Sequence, residues 1–178
     1  IKDQGIAEAA GNLPDPDSYY SNGDIANISI GQGAVMATPL QVADIVATIA
    51  NGGIKNRVNV LDSIVDDDGN KIRDLKIKKG SRIMSTEVSD KLKELMEEVI
   101  ISGTAKEANV DEYGGAGGKT GSAETGVPDV VHAWFAGYFP RLSPRYSMSV
   151  FVENGKYGGK VAAPIFAEIA SEIMRKGF

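Results

Sequence analysis

Bulky apolar positions alternate with small or polar ones over Val131-His132-Ala133-Trp134-Phe135-Ala136-Gly137-Tyr138-Phe139, a repeat of two that belongs to a β-strand. The same reading predicts strands at about 118–124 and 146–153, with Pro140 to Pro144 as the hairpin loop between the second and third. Earlier in the chain the period is helical. Leu40, Val42, Ile45, Val46 and Ile49 form a stripe expected to face the core, opened by Thr38-Pro39-Leu40-Gln41 and ended by Gly52-Gly53. Thr38 can cap, Pro39 suits the first turn, and Gln41 completes a capping box. A second helix starts at Ser85 or Thr86, places Val88, Leu92, Leu95, Met96, Val99 and Ile100 on one face, and stops before Gly103. A last one is expected from Pro164, with Ile165, Phe166, Ile169, Ile173 and Met174 inward.

The remaining segments are shorter. Ile1 to Ala10 reads as the end of a helix stopped by Gly11, and Asn12 to Asp17 as a proline-marked loop. Asp24 to Gly33 is a short apolar run ending in permissive glycines, and Thr104 to Tyr113 a connection. Val58 to Val65 and Lys71 to Lys78 read as a hairpin around Asp66-Asp67-Asp68-Gly69-Asn70. Those aspartates lack the alternate spacing and distant glutamate of a calcium loop, so they read as a solvated turn. Consecutive strands with short loops imply an α+β fold, an antiparallel sheet flanked by helices.

Composition narrows the chemistry. A length of 178 residues with 42% hydrophobic content allows one domain, or a large piece of one, with a real core. The net charge of −5 and the absence of a basic face argue against nucleic-acid binding. Without cysteine there is no disulfide, thiolate metal site or cysteine nucleophile, and His132 is the single histidine. No metal site and no cofactor are expected. No apolar run reaches the roughly 20 residues of a membrane span. The first residue, Ile1, is not methionine, and the chain reads as a processed form or a fragment.

The densest chemistry is in Gly117-Gly118-Lys119-Thr120-Gly121-Ser122-Ala123-Glu124. A phosphate-binding loop ending Gly-Lys-Thr needs a glycine where Tyr113 stands, and must lead into a helix rather than a strand. A dinucleotide fingerprint fails on its glycine spacing. An edge strand fits better: its glycines let an extended peptide lie alongside and pair with the backbone. Thr120 and Ser122, two apart, share a face and could both bind a carboxylate, while Lys119 supplies positive potential. On an ideal strand Lys119 faces away from Thr120, so its ammonium must curl round the edge or reach a site beneath.

Four further stretches occur in an order that resembles the penicillin-binding transpeptidases: Ile28-Ser29-Ile30-Gly31-Gln32-Gly33, Thr38-Pro39-Leu40-Gln41-Val42-Ala43, Ile49-Ala50-Asn51-Gly52-Gly53, and Gly103-Thr104-Ala105. Gly118-Lys119-Thr120-Gly121-Ser122-Ala123-Glu124 resembles that family's third motif, with His132-Ala133-Trp134-Phe135 on the next strand, and the likeness is to the monofunctional class B enzymes. The resemblance implies part of a penicillin-binding transpeptidase or β-lactamase-like fold. It also implies a serine D,D-transpeptidase that cross-links peptidoglycan and is stalled by β-lactams. Under it, Lys119, Thr120 and Gly121 are the catalytic motif, and Thr120 and Ser122 hold the terminal carboxylate. The Ser122 N–H is an oxyanion donor, and His132 and Trp134 are substrate contacts.

The nucleophile motif Ser-x-x-Lys is absent, Ser102 with Lys106 coming nearest, and so is Ser-x-Asn, since Ser21-Asn22 has the wrong spacing. In the family both precede this region. Residues 1–178 therefore read as the C-terminal part of such a domain, inactive alone. The expected partners are stem peptides, β-lactams and the missing N-terminal half. The expected place is the outer face of a bacterial cytoplasmic membrane, through an anchor outside this chain. A β-lactamase or carboxypeptidase fragment and a non-catalytic peptide-binding module are the competing readings.

Overall fold

A computed structural model describes residues 4–74 and 80–177. Its centre is a three-stranded antiparallel sheet in the order β5 (Gly117–Glu124), β6 (Val131–Phe139), β7 (Tyr146–Val152). Helix α4 (Ala162–Lys176) packs on one face, and α2 (Pro39–Ala50) with α3 (Thr86–Ile101) on the other. The α+β sheet with flanking helices expected from the pattern is the observed fold. Two ribbons lie outside it: β1 (Ile54–Lys55) pairs with β4 (Ser81–Arg82), and β2 (Ser63–Val65) with β3 (Lys71–Asp74).

The alternation in β6 explains the layering. Phe135 and Phe139 point to the α4 face, where they meet Phe166 edge-on at centroid distances of 4.7 and 5.6 Å. All three rings are fully buried, and each such burial is worth roughly 1.5–3 kcal/mol. Ala136 and Tyr138 point the other way, into Val46, Ile49 and Met96. Ser89 of α3 is buried and donates its hydroxyl to the Ile49 carbonyl at 2.6 Å, tying α3 to the end of α2. The Thr38–Gln41 capping box is present, and Ser85 caps α3 through the Val88 amide.

Several expectations change. Residues 6–10 are not helical; Ile1 to Asp3 lie outside the described residues. Asn22–Ser29 forms helix α1, because Ser21 and Asp24 make a reciprocal capping box that local propensity alone would not sustain. The hairpin strands are shorter than expected, and Leu75 to Lys78 lie outside the described residues. Helix α4 begins two residues before Pro164, which sits in the first turn where its missing N–H matters least. The buried stripes are also narrower. On α2 the core takes Val46 and Ile49, while Leu40 and Ile45 stay 41% and 58% exposed; on α3 Met96 and Ile100 are buried, while Val88 and Leu95 are 51% and 56% exposed.

Two outcomes follow from this packing. With those four side chains in solvent the chain is expected to self-associate. Its light-scattering mass should rise with concentration, and the joint Ile45→Lys and Leu95→Lys change should suppress the rise; a monomer throughout would refute it. The second outcome concerns Tyr138, whose buried hydroxyl donates to Glu97 Oε1 at 3.1 Å. Burial, and then the neighbouring Glu97 charge, push this phenol well above its ordinary 10.0. Only the neutral form suits the fold, so its contribution is whole below about pH 10 and lost as pH climbs through the raised value. Urea titrations should show stability falling through that alkaline window. Tyr138→Phe should cost about 1 kcal/mol at neutral pH and flatten the alkaline fall.

Candidate active site

Strand β5 can lie close to β6 because its first residues have no side chain. A Cβ on Gly117 would come 2.6 Å from the Tyr138 ring; one on Gly118 would come 2.9 Å from the Ala136 carbonyl oxygen and nearer still to the Phe135 ring. The register pairs Lys119 with Ala136, Thr120 with Phe135, Gly121 with Trp134, Ser122 with Ala133 and Ala123 with His132. Side chains directly opposite share a face. Thr120 and Ser122 therefore stand on the α4 face, and Lys119, Trp134 and His132 on the other.

The edge of β5 away from β6 collects the polar groups. Lys119 Nζ curls round to donate to the Thr120 carbonyl at 2.8 Å. Gln32 Nε2 donates to the Ser122 carbonyl at 2.8 Å, and the Glu124 N–H donates to Gln32 Oε1 at 3.3 Å. In an antiparallel strand the N–H and C=O of one residue point the same way, and alternate residues point oppositely. Thr120, Ser122 and Glu124 thus turn their backbone groups to this edge, which places the Ser122 N–H between the Lys119 ammonium and the Gln32 amide.

On the α4 face, Thr120 Oγ1 lies 2.9 Å from Thr104 Oγ1, and Ser122 Oγ accepts from the Gly158 N–H at 3.5 Å. The loop at 155–159 fits over these hydroxyls only as glycine. A Cβ on Gly155 would come 2.7 Å from Ala133 Cβ, and Cβ atoms on Gly158 and Gly159 would strike the Trp134 and Thr104 carbonyls. His132 is elsewhere: its Nδ1 accepts from the Asn154 N–H at 3.2 Å and its ring meets Phe151 edge-on at 5.1 Å. Trp134 stacks obliquely on the same Phe151 at 4.6 Å. Gly121 leaves Trp134 uncovered, since even a Cβ there would sit 3.1 Å from Trp134 Cβ.

The sequence brings Lys119, Thr120 and Ser122 to one edge, and His132 and Trp134 to the far face across Gly121. It did not single out Thr104, Gly158 or Gln32 as site residues. The signals were there: three glycines within Gly155 to Gly159, and a glutamine between Gly31 and Gly33.

The model of the penicillin binding protein transpeptidase domain matches residues 4–171. The chain belongs to that family. It is 36% identical over 160 residues to the peptidoglycan D,D-transpeptidase PbpA of Mycobacterium tuberculosis, covering 85% of this chain and 31% of that one. To the penicillin-binding protein PbpB of Mycolicibacterium smegmatis it is 31% identical over 95% of this chain and 28% of the relative. It therefore spans about a third of these transpeptidase relatives. The crystal structure of PBPA from M. tuberculosis superposes with a TM-score of 0.80 at 34% identity, over 94% of this chain and 38% of that one. Its imipenem acyl-enzyme complex gives 0.78 at 34% identity, over 95% and 38%. Penicillin binding protein 3 of M. tuberculosis, solved with ampicillin, gives 0.82 at 27% identity, over 96% and 41%.

No group of three or more metal-ligating side chains occurs among the described residues, and no helix there is long and apolar enough to cross a membrane. The tight β5–β6 approach carries its own test. Gly118→Ala should destabilise the chain by about 1–3 kcal/mol in urea denaturation, as overpacking does. An unchanged midpoint would mean that the strands separate more readily than this contact allows.

Proposed function

We propose that residues 1–178 form one wall of the cleft of a peptidoglycan D,D-transpeptidase, the rest of the domain lying outside these residues. The observation that carries this reading is the β5 edge, where the Ser122 N–H faces outward beside the Lys119 ammonium with the Thr120 and Ser122 hydroxyls nearby. The names of the transpeptidase relatives support it.

An acyl-D-alanyl-D-alanine stem peptide runs antiparallel to β5, its C-terminal carboxylate toward Lys119 and Thr120. The residue that becomes the acyl group lies opposite Ser122, its carbonyl oxygen on the Ser122 N–H. Thr120 and Ser122 Oγ bind the carboxylate, Lys119 supplies the opposing charge, and Trp134 and His132 stand on the opposite face of the sheet as contacts for the peptide's side chains.

A serine of a Ser-x-x-Lys segment, outside these residues, attacks that carbonyl and gives up its proton. The Ser122 N–H stabilises the tetrahedral oxyanion. The C–N bond then breaks and D-alanine departs with the proton. An amine from a second stem peptide attacks the ester, forms the cross-link and returns the proton to the serine. β-Lactams imitate the donor and stop at the ester. The reaction takes place outside the cytoplasmic membrane, where peptidoglycan lies.

Intact mass after incubation with penicillin tests this. The 178-residue chain is expected to gain no adduct, and a polypeptide extending it through Ser-x-x-Lys should gain one penicillin. An adduct on the shorter chain, or none on the longer, would overturn the proposal. In the longer polypeptide Ser122→Pro, which removes the edge N–H, should slow acylation about 10²–10³-fold, while Ser122→Ala, which keeps it, should slow it far less.

A further inference from the structure

The Gln32 contact is unlike the other bonds at this edge, because its side-chain amide donates and accepts at once, as a peptide group can. Its Nε2 donates to the Ser122 carbonyl at 2.8 Å and its Oε1 accepts from the Glu124 N–H at 3.3 Å. These are the two neighbouring edge groups that an added strand would engage. Gln32 is half-buried and belongs to a loop, so it satisfies edge groups that an added strand would take without belonging to one.

The loop is built to hold it there. Helix α1 ends at Ser29, the Gln32 N–H returns to the Asn27 carbonyl at 2.9 Å, and Gly31 and Gly33 on either side have φ of 74° and 79°. Two left-handed residues flanking one side chain turn the backbone sharply, and glycine adopts that conformation without the steric penalty other residues incur.

We propose that Gln32 is a displaceable surrogate strand that competes with the acyl-donor peptide for the Ser122 carbonyl, and so helps set which ligands the edge accepts. The proposal rests on the reading of this edge as the stem-peptide site. An antiparallel peptide whose carbonyl oxygen sits on the Ser122 N–H presents the N–H of the same residue to the Ser122 carbonyl. That carbonyl is held by Gln32. The peptide N–H must replace Nε2 there, one hydrogen bond exchanged for another. A ligand that lacks an N–H at that position cannot make the exchange and leaves Gln32 in place. Gln32 thus lowers the affinity of every ligand that must take the Ser122 carbonyl, and a ligand that leaves that carbonyl alone escapes the cost.

The test uses the 178-residue chain, ¹⁵N-labelled, with backbone amides followed by NMR. In the free chain the Glu124 amide should be protected from hydrogen exchange, and Gln32→Ala should remove that protection. Gln32→Glu should keep it, since a carboxylate still accepts from Glu124 but cannot donate to Ser122. An N-acylated D-alanyl-D-alanine peptide titrated into the millimolar range should shift the Ser122 amide in wild type. In Gln32→Ala it should bind about three- to tenfold tighter, the worth of one net hydrogen bond no longer displaced. The analogue with an ester in place of the N–H should gain no such advantage.

If the peptide binds wild type at Ser122 and Gln32→Ala binds equally or more weakly, this proposal falls and the stem-peptide reading stands. Unaltered Glu124 exchange in Gln32→Ala also overturns it. Binding to Gln32→Ala alone supports it. If neither protein shifts at Ser122, the stem-peptide reading of the edge falls, and this proposal with it.

Discussion

The register of β5 on β6 is the constraint on which everything else in the site depends. Pairing Gly121 with Trp134 commits Lys119, Gly121 and Ala123 to bond inward and leaves Thr120, Ser122 and Glu124 to bond outward. A slip of one residue would invert both choices, moving the hydroxyls to the α2–α3 face and turning the Ser122 N–H into the sheet. The register is fixed by volume. Gly117 lies against the Tyr138 ring and Gly118 against Phe135, contacts in which no other residue fits. Those two rings are in turn held by opposite helical layers, so the site's geometry is set by the core on both sides of the sheet.

An open edge is hazardous to a protein that keeps it, because unpaired backbone groups invite any other strand. Here two side chains occupy the edge groups without closing the edge. Lys119 covers the Thr120 carbonyl and also brings a charge that discourages association between copies. Gln32 covers Ser122 and Glu124. Both are single side chains on rotatable stems, removable at the cost of about one hydrogen bond each. A ligand that takes such an edge must replace the bonds it displaces or forfeit them.

What could be read from the sequence follows the range over which each signal acts. The three central strands and three of the helices were legible, because alternation, helical period and caps such as Thr38 with Gln41 are local. The narrowing of the helical stripes was not. Whether Ile45 or Val46 faces the sheet depends on the angle at which α2 crosses it, and that angle is set by Ala136, Tyr138 and Met96, residues far along the chain. At the site, Lys119, Thr120 and Ser122 were legible from one short motif, and of the two routes it left the ammonium, round the edge or to a site beneath, the fold takes the first. Thr104, Gly158 and Gln32 meet β5 only through the tertiary fold, and nothing in their immediate neighbours reveals the partner. Even so, the glycines beside each were visible.

Those glycines serve two different ends. Gly117, Gly118, Gly155 and Gly158 are small because backbone or neighbouring side-chain atoms occupy the place a Cβ would take. Gly31 and Gly33 have open space or ordinary contact there, and are glycine because of a left-handed φ. The first group draws segments together and makes the wall of the site rigid. The second shapes a loop that nothing compresses, so the residue it presents is held by its own bonds rather than by packing. A rigid strand faced by a loop whose hold is two exposed hydrogen bonds is the arrangement expected where one partner must stay and the other must yield. That asymmetry, more than the identity of Gln32 itself, makes the loop rather than the strand the part an incoming peptide would displace.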